Sequence, residues 1–462
     1  MSFSIAELFS QHFDNKFDLH EQHLNNQMVR VLRTIGYDRN YKKAMGQYLF
    51  DEDDNKYLDL LSGFGVFAVG RNHPTIISAL QETLTLELPN LVQMDVSLLS
   101  GLLAEKILAT TPENTNKMFF SNSGTEAVEA AIKFARYTTK RERIVHCEHS
   151  FHGLTLGSLS LNGEEIFKEG FGPLLPNCNA IPFNDLDALE KALSTKDVAA
   201  FIVEPIQGKG VNVPDDNYLP EVERLCKKYG TLFVADEIQT GLGRTGKFWA
   251  IDHWGVKPDM ILMAKALSGG FIPVGAVAMT QKIMDTVFNR MDRAVVHGST
   301  FSKNNMAMAA GLATLQVMED EKLVENSAKV GEDIITSINA MKGQYEFLKE
   351  ARGKGLMVAV EFQSPKSLKL KAAWAMLEAA NKGLFCQMVT IPLFKEHRVL
   401  TQVAGHGMNV VKLLPPLNLT HDDRDWIVDA FDKAIGDTHQ IPGSIWDLGK
   451  NLASHAIKNK NK

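Results

Sequence analysis

Short apolar runs recur through the middle of the chain, and the stretches between them place apolar residues at helical rather than alternating spacing. Phe201-Ile202-Val203, Thr231-Leu232-Phe233-Val234-Ala235 and Met260-Ile261-Leu262-Met263 are bounded by polar or turn-forming residues. They lack polar alternation and are too short for buried helices, so they predict strands covered on both faces. Strands of this kind alternating with helices predict an α/β fold with a mostly parallel sheet between helical layers. Upstream, a polar helix is expected from about Asp14 to Val31, followed by two short strands, Tyr48 to Asp51 and Lys56 to Asp59, joined by an acidic turn. Near Ala309 a long helical pattern begins. Beyond it, Val358 to Phe362 and Val410 to Leu414 predict strands of a second, smaller α+β lobe, and Ile445 to Ile457 a helical tail. The expected division is 1–62 as the N-terminal segment of the small domain, 63–318 as the large domain, and 319–462 as the C-terminal small domain with its tail. No repeat or low-complexity tract suggests tethered modules.

Composition narrows the function classes. A net charge of −6, from 49 basic and 55 acidic residues, offers no basic face for nucleic acid. The 4 cysteines form no CxxC pair and are too few for a disulfide scaffold, which points to a reducing compartment. No basic start followed by an apolar core opens the chain, and no uncharged apolar run approaches a membrane span. The expected location is the cytoplasm, with no membrane partner.

Chemistry concentrates where predicted strands end. The run ending at Ala235 is followed by Asp236-Glu237, where an open α/β sheet forms its ligand crevice. The run ending at Met263 is followed by Ala264-Lys265, so an acid and a lysine converge on one sheet edge. A structural Lys–Asp pair is one reading of this, and a functional lysine is the other. Ser121-Asn122-Ser123-Gly124-Thr125-Glu126 precedes a helical pattern from Ala127 to Arg136. Its amides, hydroxyls and helix dipole suit a phosphate, while Ser123-x-x-Glu126 equally fits a capping box. Neither GxGxxG after a strand nor GxxxxGK[ST] occurs, so a compact phosphorylated cofactor fits better than a dinucleotide or nucleoside triphosphate.

The stretch Val234-Ala235-Asp236-Glu237-Ile238-Gln239-Thr240-Gly241-Leu242-Gly243-Arg244-Thr245-Gly246, with Lys257-Pro258-Asp259 and Ala264-Lys265-Ala266-Leu267-Ser268-Gly269-Gly270, resembles the class-III aminotransferases. Phe151-His152-Gly153, Glu204-Pro205-Ile206-Gln207-Gly208, Ser299-Thr300-Phe301 and Pro415-Pro416-Leu417 extend the match to about residues 45–435. The resemblance implies a fold type I enzyme using pyridoxal 5′-phosphate. Lys265 would hold the cofactor and shuttle protons, and Asp236 would pair with the pyridine nitrogen. Gln239 would touch the ring hydroxyl, Ile238 and Phe151 would flank the ring, and Ser123, Gly124 and Thr125 would hold the phosphate. His152 and Glu204 belong to the same implied cofactor site. Thr300 would be donated by a neighbouring subunit, making the active unit a homodimer or a tetramer built from dimers.

Departures from the family pattern bear on substrate. Lys209 stands where a glutamate is usual and Lys412 where an arginine is usual, and Leu154 replaces a common basic residue after Phe-His-Gly. In many relatives that glutamate and arginine form a switchable pair for the acceptor carboxylate, and a lysine is a point charge rather than a bidentate fork. The implied reaction is ping-pong transfer of an amino group from a primary amine or ω-amino compound to a keto acid such as 2-oxoglutarate or pyruvate, or to an aldehyde. An aminomutase, a decarboxylating transaminase and a non-catalytic PLP-binding regulator are the alternatives. His146-Cys147-Glu148-His149 with His152 lacks a second ligand cluster, and on a strand His146 and His149 would face opposite ways, so no metal is expected.

Overall fold

A computed structural model describes residues 3–92, 94–440 and 442–460. Among the described residues a seven-stranded sheet forms the centre. Its spatial order is Thr115–Ser121, Gly275–Thr280, Met260–Met263, Leu232–Asp236, Val198–Val203, Arg143–Cys147 and Cys178–Ile181. Gly275–Thr280 runs antiparallel to both neighbours, and the other pairings are parallel. The fold is therefore α/β, as the apolar runs predicted.

The missing alternation in those runs has a physical cause, because both faces of the sheet are dry. Phe201, Val203, Phe233, Ala235, Ile261 and Met263 join one core cluster, while Ala200, Ile202, Val234, Met260 and Leu262 join another on the opposite face. Successive side chains of a strand point to opposite faces, so a strand covered on both sides has no polar position to offer. Helix Gly124–Thr139 covers the second face and helix Tyr218–Tyr229 the first.

Two smaller sheets flank this centre. Leu348–Lys354, Met357–Phe362, Val410–Leu413 and Gln402–Val403 form one, all antiparallel, with Ala359 opposite Lys412. Tyr41–Met45, Tyr48–Asp51 and Lys56–Asp59 form the other, and Val399–Leu400 joins it in parallel beside Lys56–Asp59. The acidic turn of that hairpin is held by Asp51, whose Oδ1 accepts from the amides of Asp53 at 3.1 Å and Asn55 at 2.9 Å. The predicted helix from Asp14 to Val31 is instead two helices, Lys16–His23 and Asn26–Ile35. Asn25 separates them because its side chain accepts from the amides of Gln27 and Met28 and starts a new helix. The long helix runs Asn305–Asp320, and Asn304 caps it through the Ala307 amide at 2.9 Å. The tail is helical over Ser444–Lys460.

One close contact ties helix Leu323–Ala340 to the turn between Leu348–Lys354 and Met357–Phe362. A Cβ on Gly331 would sit 1.9 Å from the Gly355 carbonyl oxygen, and Gly355 itself has φ +52°. Gly331→Ala is therefore expected to lower the unfolding free energy by about 2 kcal/mol, read as a reduced urea midpoint. An unchanged midpoint would show that helix and turn separate freely.

Candidate active site

The carboxyl ends of the parallel strands and the start of the antiparallel one meet at a single edge, and a cavity of about 390 Å³ opens there. Its wall includes Ser123, Gly124, Thr125, Phe151, His152, Ile238 and Lys265. The phosphate-grip, ring-flanking and lysine candidates thus converge from four separate stretches of chain.

Ser123 is the N-cap of the helix Gly124–Thr139, and its Oγ accepts from the Glu126 amide at 3.3 Å. The Glu126 side chain does not return to Ser123 but accepts from the Asn122 amide at 2.6 Å. Only half of the capping box forms. The helix starts three residues before the expected Ala127, and its first amides, of Gly124 and Thr125, have no intrahelical acceptor. Thr125 Oγ1 lies 2.7 Å from Thr155 Oγ1 and 2.6 Å from Ser158 Oγ, a hydroxyl cluster beside those amides. Two glycines allow this packing. A Cβ on Gly153, at φ +130°, would lie 2.5 Å from Thr125 Oγ1, and one on Gly275 would lie 2.3 Å from the Ser123 carbonyl oxygen.

The two acids ending Leu232–Asp236 part ways. Glu237 is buried away from the cavity wall, where its carboxylate accepts from the Ile251 amide at 2.8 Å and from the Thr240 hydroxyl. Burial pushes its pKa up to about 7, against those hydrogen bonds. Asp236 is 3% exposed; one oxygen accepts from the Ile238 amide at 3.1 Å and the other lies 2.6 Å from His152 Nδ1. Burial alone would lower the His152 pKa, but the Asp236 hydrogen bond and charge, with help from Glu204, leave it raised. His152 Nε2 is buried without a partner. Glu204 is also buried and accepts from the amides of Gly208 at 2.9 Å and Phe151 at 3.2 Å. Burial raises its pKa, with His152 opposing.

Lys265 has φ +40°, a left-handed conformation that residues other than glycine rarely adopt and that costs about 1–3 kcal/mol. Burial lowers its pKa, opposed by Asp236 and Glu204, so the acid and lysine lie within electrostatic reach. They do not form a hydrogen-bonded pair: Asp236 is committed to His152 and Ile238. A closed structural ion pair does not describe this arrangement.

The substrate candidates are placed unevenly. Lys412, 5% exposed in the middle of Val410–Leu413, donates to the Gly208 carbonyl at 2.7 Å and more weakly to Gln239 Oε1 at 3.5 Å. Burial first, then Lys265 and Lys209, pull its pKa down to about 8. Gln239 also donates to the Phe64 carbonyl at 3.2 Å. Leu154 is 57% exposed, and Thr300 is exposed and outside the cavity of its own chain. Asn122, Gly153 and Gly270, which the sequence placed in motifs without a role, also line the cavity, as does the segment 271–274, which it did not pick out. Among the described residues, no three His, Cys, Asp or Glu side chains gather as a metal site would require, and the strand carrying His146 ends at Cys147, leaving His149 outside it.

The residue set fits a phosphorylated pyridine aldehyde. A helix N-terminus ringed by hydroxyls suits its phosphate, a buried carboxylate its ring nitrogen, an aromatic and a branched side chain its faces, and a lysine amine its carbonyl. The family model for aminotransferase class-III matches residues 34–435. The aminotransferase PigE from Serratia sp. (strain ATCC 39006) is 34% identical over 450 residues, covering 90% of this chain, which spans only 53% of that longer relative. The putrescine aminotransferase of Pectobacterium atrosepticum is 42% identical over 384 residues, with 81% of this chain and 77% of the relative covered. The ornithine aminotransferase structure from Toxoplasma gondii superposes with a TM-score of 0.81 at 28% identity, over 95% of this chain and 100% of that one. With the family model spanning most of its length and the cofactor's complement of side chains at one sheet edge, this chain belongs to the class-III aminotransferases, a family that depends on pyridoxal phosphate.

Proposed function

We propose that this protein transfers an amino group from a primary amine or ω-amino compound to a keto acid. The observation that carries the reading is the cavity walled by Lys265, His152 and the Ser123–Thr125 helix start, with Asp236 held against His152 beside it. The names of the relatives, putrescine and ornithine aminotransferases, support a donor with an amine on an aliphatic body.

Ser123, Gly124 and Thr125 would hold the phosphate, Phe151 and Ile238 would flank the ring, and Gln239 would meet the ring hydroxyl. When bound, pyridoxal phosphate supplies an electron sink for the carbon that bears the nitrogen. Asp236 would face the ring nitrogen with its carboxylate, and His152, buried against it, keeps that carboxylate oriented. Glu204 accepts from the amides of Phe151, which would flank the ring, and of Gly208. Lys265 Nζ would hold the cofactor and, once freed, take the proton from the substrate's nitrogen-bearing carbon. Its lowered pKa makes the neutral amine that a base requires more accessible near neutral pH. The donor departs as an aldehyde or ketone before the acceptor binds, which gives ping-pong kinetics.

We extend the reading to a homodimer in which Thr300 reaches the partner's phosphate site. Support comes from its exposure outside its own cavity and from the exposed apolar side chains around it, Met291 at 98%, Val295 at 88% and Phe301 at 65%. The small domain is assigned to 1–62 and 319–462 because Val399–Leu400 pairs with the N-terminal strand Lys56–Asp59. Cytoplasmic residence is supported by four free cysteines, of which Cys147, Cys226 and Cys386 are buried. No helix among the described residues is long and apolar enough to cross a membrane.

The test is the visible spectrum of the cofactor-loaded protein, recorded without acceptor while glutamate, alanine, ornithine, putrescine or a long-chain alkylamine is added singly. Bleaching of the yellow band by a diamine or ω-amino compound is expected. No yellow band after adding pyridoxal phosphate would end the proposal, and a band that no donor bleaches would end the transaminase part of it.

A further inference from the structure

The helix Gly124–Thr139 borders the cofactor cavity with its first residues and a second cavity with its last turns. The second has a volume of about 420 Å³, within the range of small-molecule sites. Lys133, Arg136, Tyr137 and the C-cap Lys140 fall on one face of the helix and line it. Arg293 and His297 close it from the segment that follows helix Gln281–Val287. No acid lines it, so the charges of Lys133, Arg136, Lys140 and Arg293 meet in one concave surface of a chain whose net charge is −6.

These cations are held in place without being neutralised. Arg136 donates to the carbonyls of Glu142 at 2.7 Å and Pro176 at 2.9 Å. Arg293 gives its Nε to the Val287 carbonyl at 3.2 Å, which leaves the two terminal nitrogens of its fork without a partner among the described residues. Its guanidinium carbon lies 4.4 Å from the Tyr137 ring centroid, and Lys140 Nζ lies 3.6 Å from the same centroid. Lys133 donates to His297 Nδ1 at 2.8 Å. Burial and then the Lys133 charge lower the His297 pKa, so the imidazole stays neutral and accepts. Its ring is fixed by stacking on Phe119 at 5.1 Å and by an edge contact with Phe134 at 5.4 Å. Glu126 and Glu129 are near enough for His297 to feel, but both are engaged elsewhere: Glu126 by the Asn122 amide, Glu129 by the Thr155 hydroxyl and the amides of Gly157 and Ser158. A helix C-terminus favours cations within its last turn. That accounts for Arg136 and Lys140, and it gives no reason for Lys133, which lies further back, or for Arg293, which comes from another segment.

We propose that this cavity binds a small molecule carrying linked phosphates, with a diphosphate group as the unit it recognises. The free arginine fork of Arg293 pairs with two oxygens of one phosphate at once, and the lysines supply point charges for the second. Like charges held close together repel in the empty cavity. A polyanion relieves that repulsion, whereas a single monoanion relieves only part of it. The site shares no lining residue with the cofactor cavity, and Lys133 lies about 13 Å along the helix axis from Gly124 at the cofactor end. It is therefore independent of the transaminase reading.

The test is calorimetric titration of the cofactor-loaded protein, in magnesium-free buffer, with pyrophosphate, ADP and citrate, while the cofactor's visible band is followed. Pyrophosphate is expected to bind and leave the band unchanged, with an affinity that falls as salt is raised. Binding of ADP as well would assign the site to a nucleotide's diphosphate, and binding of pyrophosphate alone would assign it to the free anion. Lys140 holds the C-cap at φ +59°, where glycine is the usual residue, so Lys140→Gly removes the charge and keeps the helix end. It is expected to weaken pyrophosphate by about tenfold, the size of one charge-assisted hydrogen bond. Arg293→Gln is expected to do the same, and Arg293→Lys, which keeps the charge and loses the fork, to recover part of the affinity. No binding of either phosphate compound by wild type, citrate binding as tightly as pyrophosphate, loss of the cofactor band during titration, or full binding by either Lys140→Gly or Arg293→Gln would each overturn the proposal.

Discussion

Lys265→Ala is expected to lower turnover by roughly 10⁴-fold or more while the protein still folds and binds pyridoxal phosphate. The magnitude follows from one amine filling two roles, covalent attachment and proton transfer, the second of which alone contributes roughly 10²–10⁴-fold. Two readouts separate the roles. Borohydride treatment should fix the cofactor's mass to the wild-type chain and not to the variant, and methylamine added to the variant should restore part of the proton transfer. Turnover within tenfold of wild type would remove Lys265 from the chemistry.

Asp236→Asn comes next in size. The carboxylate is 3% exposed, so the side chain that replaces it is nearly isosteric and leaves packing intact. What disappears is the carboxylate proposed to face the cofactor's ring nitrogen, and with it the acceptor oxygen facing His152. A loss of roughly 10²–10³-fold in kcat is expected, the scale of removing one preorganised electrostatic partner from a dry site. A second signature is independent of turnover. Burial lowers the His152 pKa, and mainly Asp236 reverses that, so the asparagine variant should show His152 titrating below its wild-type value by NMR. A fall in kcat with an unmoved histidine would mean that Asp236 does not hold His152 as its 2.6 Å contact implies.

The site was legible in the sequence where chemistry and local structure coincide. Asp236 and Lys265 both follow apolar runs, and a buried parallel strand writes itself as such a run because both of its faces are dry. The Ser123–Thr125 element was legible too, although its two readings merged: Ser123 caps the helix, and the amides that remain free beyond the cap are the ones suited to an anion. Helix edges were less clear. The break at Asn25 depends on a single side chain bonding nearby amides, and periodicity does not register it.

Partnerships between distant segments were invisible. Glu164 carries no motif, yet its carboxylate lies 2.7 Å from His149 Nδ1, where Gly163 lets the loop press against the His149 backbone. Gly275 matters because an antiparallel strand brings it beneath Ser123, more than a hundred residues earlier in the chain. The fate of Glu237, next to Asp236 yet turned into the core toward Ile251, depends on which face of the strand end meets the cavity. By itself, the sequence determined the α/β class, the sheet edge that bears the chemistry and the lysine and acid at its centre, because each is encoded in residues near one another along the chain. Only the tertiary structure decided which charges face each other across that edge, because such pairings arise from strand order, loop crossings and close glycine contacts, none of which leaves a periodic trace in the chain.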